Sequence, residues 1–397
     1  LSNGKVFYTG QGSGTKSANS WLFTPGTNTW TASAPPLFSR DAGPTVLLPL
    51  FGPAWTNKVI AFGGGGRSDS EIIDFSAPTP AWVLGPTLTA GRIHNSATLL
   101  PNGKVVAHGG SPSNNSPDTN AKNADLYNPA TNTISSAGTA SYSRLYHSVS
   151  LLLPDATVAV LGSNPASRGA YEPAIEIYRP AYLFDSAGQP VASRPQITGV
   201  SATKLGYGAS FTASYTGGAA ITTAVLMRPG SATHALDPEQ RLVELCGTHA
   251  GQTACSGSGG SITLTSPPSG NVAPPGWYML FLLDANGVPS KAAWVQLSLY
   301  ATTAPSGAIT SPSGNTTVTA GGTVSFGTST AAAKHSWSFP GGTPASSPSQ
   351  NPGAVTFNIP GTYVASMTAI DAAGNSDPNP PTRTITVIPA TPDFRVA

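Results

Sequence analysis

An all-β chain of several domains is what this sequence predicts, on three grounds: little charge, many turn residues and a strand pattern recurring every ~50 residues. Charged residues are 9% of the 397 positions, against roughly 25% in an average soluble protein. Solvent-facing helices draw on Glu, Lys and Arg, so few can form. Ser, Thr and Asn, with 44 Gly and 38 Pro, suit strands and tight turns instead. This length predicts two or three domains. A net charge of +2 without a basic cluster argues against nucleic acid or an anionic membrane surface as partner. No apolar run approaches the ~20 residues of a membrane helix. The first residues also lack the basic start and apolar core of a signal peptide.

The repeat lies in residues 1–180. Gly4-Lys-Val-Phe-Tyr-Thr-Gly10, Asn57-Lys-Val-Ile-Ala-Phe-Gly63, Gly103-Lys-Val-Val-Ala-His-Gly109 and Ala156-Thr-Val-Ala-Val-Leu-Gly162 match when aligned. Their valines Val6, Val59, Val105 and Val158 are spaced by 53, 46 and 53 residues. A strand ending in Gly at this period is the kelch type of β-propeller repeat. Downstream hairpins can be read at Trp21 to Trp30, around Thr-Pro-Gly-Thr-Asn, and at Ala124 to Ile134, around Asn-Pro-Ala-Thr-Asn. A further apolar strand precedes three of the four valine strands, at Pro44 to Pro49, Asn95 to Pro101 and Ser148 to Pro154. The expectation is a partial propeller of about three and a half blades. Propellers close with four to eight blades, so upstream blades are expected in a longer protein.

Beyond the repeats, residues 181–195 read as a linker and 196–300 as an immunoglobulin-like sandwich, with strands such as Ser210 to Tyr215 and Tyr278 to Leu283. A second linker is expected at 301–307. Residues 308–389 form another small sandwich with Trp337 and Tyr363 as core aromatics, and 390–397 lead to a possible further domain. Trp337-Ser-Phe-Pro-Gly-Gly, Pro360-Gly-Thr-Tyr and Ala369-Ile-Asp-Ala-Ala-Gly make this last sandwich resemble the polycystic-kidney-disease (PKD) family. Cys246 and Cys255 enclose eight residues and read as a disulfide across a loop. With only His249 between them and no second cysteine pair, zinc is not expected.

Chemistry concentrates in Arg144-Leu-Tyr146-His147-Ser-Val-Ser-Leu-Leu-Leu-Pro154. Its sister repeat reads Arg92-Ile-His94-Asn-Ser-Ala-Thr-Leu-Leu-Pro101, so His94 and His147 share one repeat position and Tyr146 replaces Ile93. On the repeat alone, such a histidine heads a strand and hydrogen-bonds loop backbone, and His94 is read that way. The Tyr-His strand resembles the copper-ligand strand of the galactose oxidase and glyoxal oxidase family of copper radical oxidases. So do the blocks after it: Glu176-Ile-Tyr-Arg-Pro, Arg194-Pro-Gln-Ile, Ser231-Ala-Thr-His234-Ala-Leu-Asp-Pro-Glu-Gln-Arg241, Pro275-Gly-Trp-Tyr and Gly287-Val-Pro-Ser290. The resemblance covers about the first 300 residues. It implies His147 and His234 as equatorial imidazoles and Tyr146 as axial phenol and general base at one Cu(II), with the 196–300 sandwich docked on the propeller so that the histidines meet. Imidazole suits Cu(II) in a tetragonal field with a weak axial ligand.

The family pattern also uses a tyrosine cross-linked to a cysteine, and no such pair exists in this chain, which has no cysteine before Cys246. Other signatures are missing. Gly63 to Gly66 opens no helix and reads as a blade turn, no paired carboxylates suggest a glycosidase, and no Gly-x-Ser-x-Gly elbow occurs. The resemblance implies a secreted monomer that oxidises small alcohols, aldehydes or carbohydrates with O2 to give H2O2, inactive as this chain alone. The alternative is a non-catalytic secreted propeller and sandwich protein for carbohydrate or cell-surface binding.

Overall fold

The computed structural model describes residues 1–10, 19–113, 122–164, 171–258, 260–299, 305–371 and 375–390. They belong to two compact units, Leu1–Leu297 and Ser298–Ala397. The expectations for residues 301–304, for Ala372 to Gly374 of the PKD-like pattern and for 391–397 lie outside the described residues. Among those described, helical structure is limited to short 3-10 turns such as Ala181–Leu183, so the fold is all-β as predicted.

Four antiparallel sheets follow the four repeats. The first contains β1 (Val6–Tyr8), β2 (Trp21–Thr24) and β3 (Thr29–Ala32); the second β4 (Thr45–Leu47), β5 (Lys58–Phe62), β6 (Ser70–Asp74) and β7 (Trp82–Leu84). The third holds β8 (Ser96–Leu99), β9 (Val105–His108), β10 (Asn123–Asn128) and β11 (Thr133–Thr139), and the fourth β12 (Val149–Leu152), β13 (Val158–Leu161) and β14 (Glu176–Tyr178). Each connects neighbours in sequence order because its turns are short. Asn28 and Asn132 occupy the same place in the two predicted hairpin turns, with φ of 52° and 51°. Asparagine tolerates this left-handed backbone better than most residues.

A second repeating device was not read from the sequence. Arg40, Arg92 and Arg144 lie 52 residues apart, and all three side chains are buried. Each guanidinium reaches a carboxylate in its own sheet: Glu71 at 2.8 Å, Asp125 at 2.7 Å and Glu176 at 2.8 Å. Its Nη1 also donates to the carbonyl of a repeat-ending glycine, Gly63, Gly109 or Gly162. A buried guanidinium satisfied on several donors fixes the loop that precedes the innermost strand. Two of those loops carry His94 and His147.

The first sandwich pairs β15 (Gln196–Val200), β17 (Ser210–Thr216), β20 (Gly257–Ser258) and β21 (Ser261–Thr265) in one sheet. The other contains β16 (Lys204–Leu205), β18 (Ile221–Arg228), β19 (Arg241–Cys246), β22 (Gly276–Asp284) and β23 (Ala293–Leu297). Strand β22 is apolar on both faces because both are covered. Tyr278, Leu280 and Leu282 enter the sandwich core, while Met279, Phe281 and Leu283 pack on Ile60, Phe62, Leu99 and Val105 of the repeat sheets. Each large apolar side chain so buried contributes about 1.5–3 kcal/mol. The contact also includes backbone. Leu50 N–H donates to Leu242 O at 2.9 Å and Glu244 N–H to Leu50 O at 3.1 Å, adding the β4–β5 loop to the edge of β19. Arg194 donates to the carbonyls of Asp155, Pro289 and Ser290, so two of the quoted sequence blocks meet at one guanidinium.

The second unit contains β24 (Thr316–Thr319), β25 (Gly322–Phe326), β26 (Lys334–Ser338), β27 (Gly342–Thr343), β28 (Ser346–Ser347), β29 (Gly353–Phe357), β30 (Gly361–Ile370) and β31 (Thr382–Ile388). They form two sheets, β24-β31-β30-β26-β28 and β25-β29-β27. Trp337 is central, packed against Phe326 and Phe339. Tyr363 is half-buried at the rim, where its hydroxyl donates to Ile359 O.

Candidate metal centre

Tyr146 and His147 lie in a turn that heads β12, closed by Ser148 N–H donating to Leu145 O at 2.9 Å. The turn is held by Asn164 N–H on Tyr146 O at 2.6 Å and by Leu145 N–H on Ser163 Oγ at 3.0 Å. His147 has φ of 63°, as does His94 at the matching place in the previous repeat. That conformation favours glycine, and a bulky residue kept there points to a role worth the strain.

His234 stands at the tip of a hairpin rising from the first sandwich. Thr233 and Leu236 close the tip with reciprocal backbone hydrogen bonds of 2.7 and 2.8 Å. Between them His234 and Ala235 have φ of 49° and 68°. Two successive positive φ values define a type I′ turn, which ordinarily takes Asn-Gly. The hairpin stem is tied by Asp237, whose Oδ1 accepts from the backbone N–H groups of Ser231, Glu239 and Gln240. Burial pushes the Asp237 carboxyl above its usual range.

These two strained turns bring the imidazoles together. The Nε2 atoms of His147 and His234 are 2.9 Å apart, across 87 residues of sequence. The rings meet at 83°. Tyr146 stacks on His147 with centroids 3.8 Å apart and meets His234 edge-on at 5.6 Å. Thr233 Oγ1 lies 2.7 Å from His234 Nδ1. With Nδ1–H donating to that oxygen, the His234 Nε2 keeps its lone pair toward His147.

The donor set fits a tetragonal metal ion. Two cis imidazoles each ~2 Å from an ion place their nitrogens ~2.8 Å apart, close to the observed separation. Tyr146, His234 and His94 line a cleft of about 760 Å³, with Asp41, Gln240 and Arg241. His94 contributes its backbone N–H to Ala42 O at 2.9 Å, while its ring centroid sits 4.9 Å from that of Tyr146. Cys246 and Cys255 are joined as a disulfide. The loop it closes holds His249, which stacks on Phe51 and bonds through Nδ1 to the buried Glu244 at 2.8 Å. Burial raises Glu244 to about 7 and pushes His249 down. Sequence reasoning met Thr233, Asp237 and Gln240 only as members of the resembling block around His234, without a separate role, and passed over Glu244, which lies in no repeat and has no chemically distinctive spacing.

Fold and centre together define an all-β protein of galactose oxidase-like architecture. Residues 194–297 match the family described as galactose oxidase-like, early set domain, and residues 307–379 match the PKD domain. Over 314 residues the chain is 29% identical to a galactose oxidase from Gibberella zeae (strain ATCC MYA-4620 / CBS 123657 / FGSC 9075 / NRRL 31084 / PH-1), covering 74% of this chain and 44% of that one. It is 29% identical over 289 residues to the aldehyde oxidase GLOX of Vitis pseudoreticulata, covering 65% and 53%. The chain thus spans about half the length of these relatives. The solved structure of a fungal alcohol oxidase of the AA5 family, in complex with copper, matches with a TM-score of 0.57 and 25% identity. That match covers 75% of this chain and 74% of the other.

Proposed function

We propose that His147 and His234 would hold one copper through Nε2, together with the Tyr146 phenol oxygen. The site would belong to a secreted oxidase converting primary alcohols or aldehydes with O2 to the oxidised product and H2O2. The observation that carries this reading is the 2.9 Å approach of two Nε2 atoms, at nearly perpendicular rings, one from a repeat turn and one from the sandwich hairpin. Similarity to a galactose oxidase, an aldehyde oxidase and a copper-bound alcohol oxidase supports it. Copper bound there supplies one-electron redox chemistry and Lewis acidity toward a substrate oxygen. Thr233 orients His234 by occupying Nδ1. With copper bound, Tyr146 Oη would accept the substrate hydroxyl proton. The cleft beside it suits a small alcohol, an aldehyde or a sugar unit.

Taking two electrons from an alcohol requires a second one-electron centre beside copper. Cys246 and Cys255 are bonded to each other, so neither is free to cross-link a tyrosine. The chain alone is therefore expected to bind copper without turnover. A longer form carrying a cysteine and a tyrosine on further blades is expected to release peroxide. Copper titration with electron paramagnetic resonance tests the site: one Cu(II) per chain with two imidazole nitrogens, lost in His147→Ala and in His234→Ala. Tyr146→Phe should keep the metal and slow proton removal in the active form. If the unaltered chain and its longer form take up no copper and make no peroxide, the oxidase reading fails. Extracellular carbohydrate or cell-surface binding would then stand in its place.

A further inference from the structure

We propose that Gln240 is a positioning residue that sets the distance between His147 and His234; the inference rests on the copper reading above but has its own metal-free test. Strand β8 pairs with β9 on one side, leaving an open edge on the other. The Gln240 carboxamide fills part of that edge as a partner strand would. Its Oε1 accepts from Leu99 N–H at 2.8 Å, its Nε2 donates to Ala97 O at 3.0 Å, and both bonds are buried. A side-chain amide has the donor and acceptor of a peptide group, so it can pair with a strand edge where no backbone reaches.

The bonds continue in both directions. On one side, Gln240 N–H donates to Asp237 Oδ1, which also accepts from Ser231 N–H on the opposite arm of the His234 hairpin. On the other, Ser96 and Thr98 of β8 donate through their hydroxyls to Ser148 O and Ser150 O of the neighbouring sheet. Ser148 directly follows His147. A chain of hydrogen bonds thus runs from the His234 hairpin through Gln240 and β8 to the turn carrying His147. Within this chain of bonds, Gln240 is the member that crosses from the first sandwich to the repeat sheets. Covalent chain cannot set this spacing, because 87 residues of other structure intervene.

Gln240→Leu keeps bulk and removes both bonds. Gln240→Glu keeps the shape but turns an oxygen toward Ala97 O. In crystal structures of the metal-free variants, the Nε2 separation should exceed hydrogen-bonding reach, ~3.5 Å. In solution, the Kd for Cu(II) should rise about 10–100-fold, with one imidazole nitrogen coupled in place of two. Ile262→Val, in the sandwich core away from the hairpin, serves as the stability control. A merely structural role for Gln240 predicts a lower melting temperature with unchanged Kd and two coupled imidazoles, as in the control, and that result overturns the inference while sparing the copper reading. Should the unaltered chain bind no copper, the copper reading falls, and the metal-free separation alone decides: still 2.9 Å in the variants overturns the inference, a widened pair supports it. If Gln240→Leu fails to fold, Gln240→Asn, too short to span Ala97 and Leu99 together, takes its place in both measurements.

Discussion

Thr233 Oγ1 lies 2.7 Å from His234 Nδ1, so the preceding residue decides which ring nitrogen remains available. Valine in place of Thr233 retains shape and loses the hydroxyl. Thr233→Val should weaken Cu(II) binding by roughly tenfold, since loss of such a partner typically costs 10–100-fold in metal affinity. Thr233 is exposed, so unfolding stability should move by less than about 0.5 kcal/mol. A chelator competition beside a urea melt reads both; unchanged affinity would show that Thr233 has no hold on the ring.

The left-handed backbone at His234 predicts an inverted glycine effect. Elsewhere in a fold, glycine is less stable than alanine by about 0.5–1 kcal/mol. At φ of 49° the Cβ itself is the burden. His234→Gly should therefore be more stable than His234→Ala by about 1 kcal/mol, although both lose copper. Thermal unfolding of the pair reads the order directly, and alanine above glycine would mean the turn is not of the I′ type.

Arg92 and Asp125 form an ion pair with both side chains buried, whereas Glu176, the partner of Arg144, is 20% exposed. Removing one member of a buried pair leaves the other uncompensated, at a cost of roughly 3–5 kcal/mol. Arg92→Ala should show that loss in denaturant unfolding, with Arg144→Ala costing less because water reaches Glu176. Equal losses would shift the weight from the carboxylates to the glycine carbonyls both arginines bond.

Glu244 makes stability depend on pH. Burial raises its folded pKa from 4.5 to about 7, so its contribution to stability is fully present below 4.5 and is lost as pH rises through 7. Gln at this position cannot titrate. Relative to the unaltered chain, Glu244→Gln should gain on the order of 2–3 kcal/mol between pH 4.5 and pH 8, read from urea midpoints. A difference that stays flat across that range would mean that Glu244 is ionised throughout, matched by a protonated His249.

The Cys246–Cys255 bond closes the loop that carries His249. The native protein should present no titratable thiol, and reduction should lower stability by roughly 2–3 kcal/mol at most, as expected for so short a loop. Two reactive thiols in unreduced protein would contradict the pairing.

What the sequence determined by itself is local or periodic. The valine strands, the asparagine turns and the alternating faces of β22 follow from side-chain period and turn chemistry, which act over a few residues and leave a visible pattern. The identities of Tyr146, His147 and His234 could be picked out because imidazole and phenol in a resembling strand imply a metal. Tertiary structure alone decided whether those rings meet. Their approach depends on Leu50 pairing with β19, on the odd-numbered residues of β22 packing against the repeat sheets, and on Gln240 bridging to β8. Local propensity even argues against the two turns, because histidine and alanine stand where positive φ favours glycine. Only packing between distant segments can hold such a conformation, and no pattern in neighbouring residues records it.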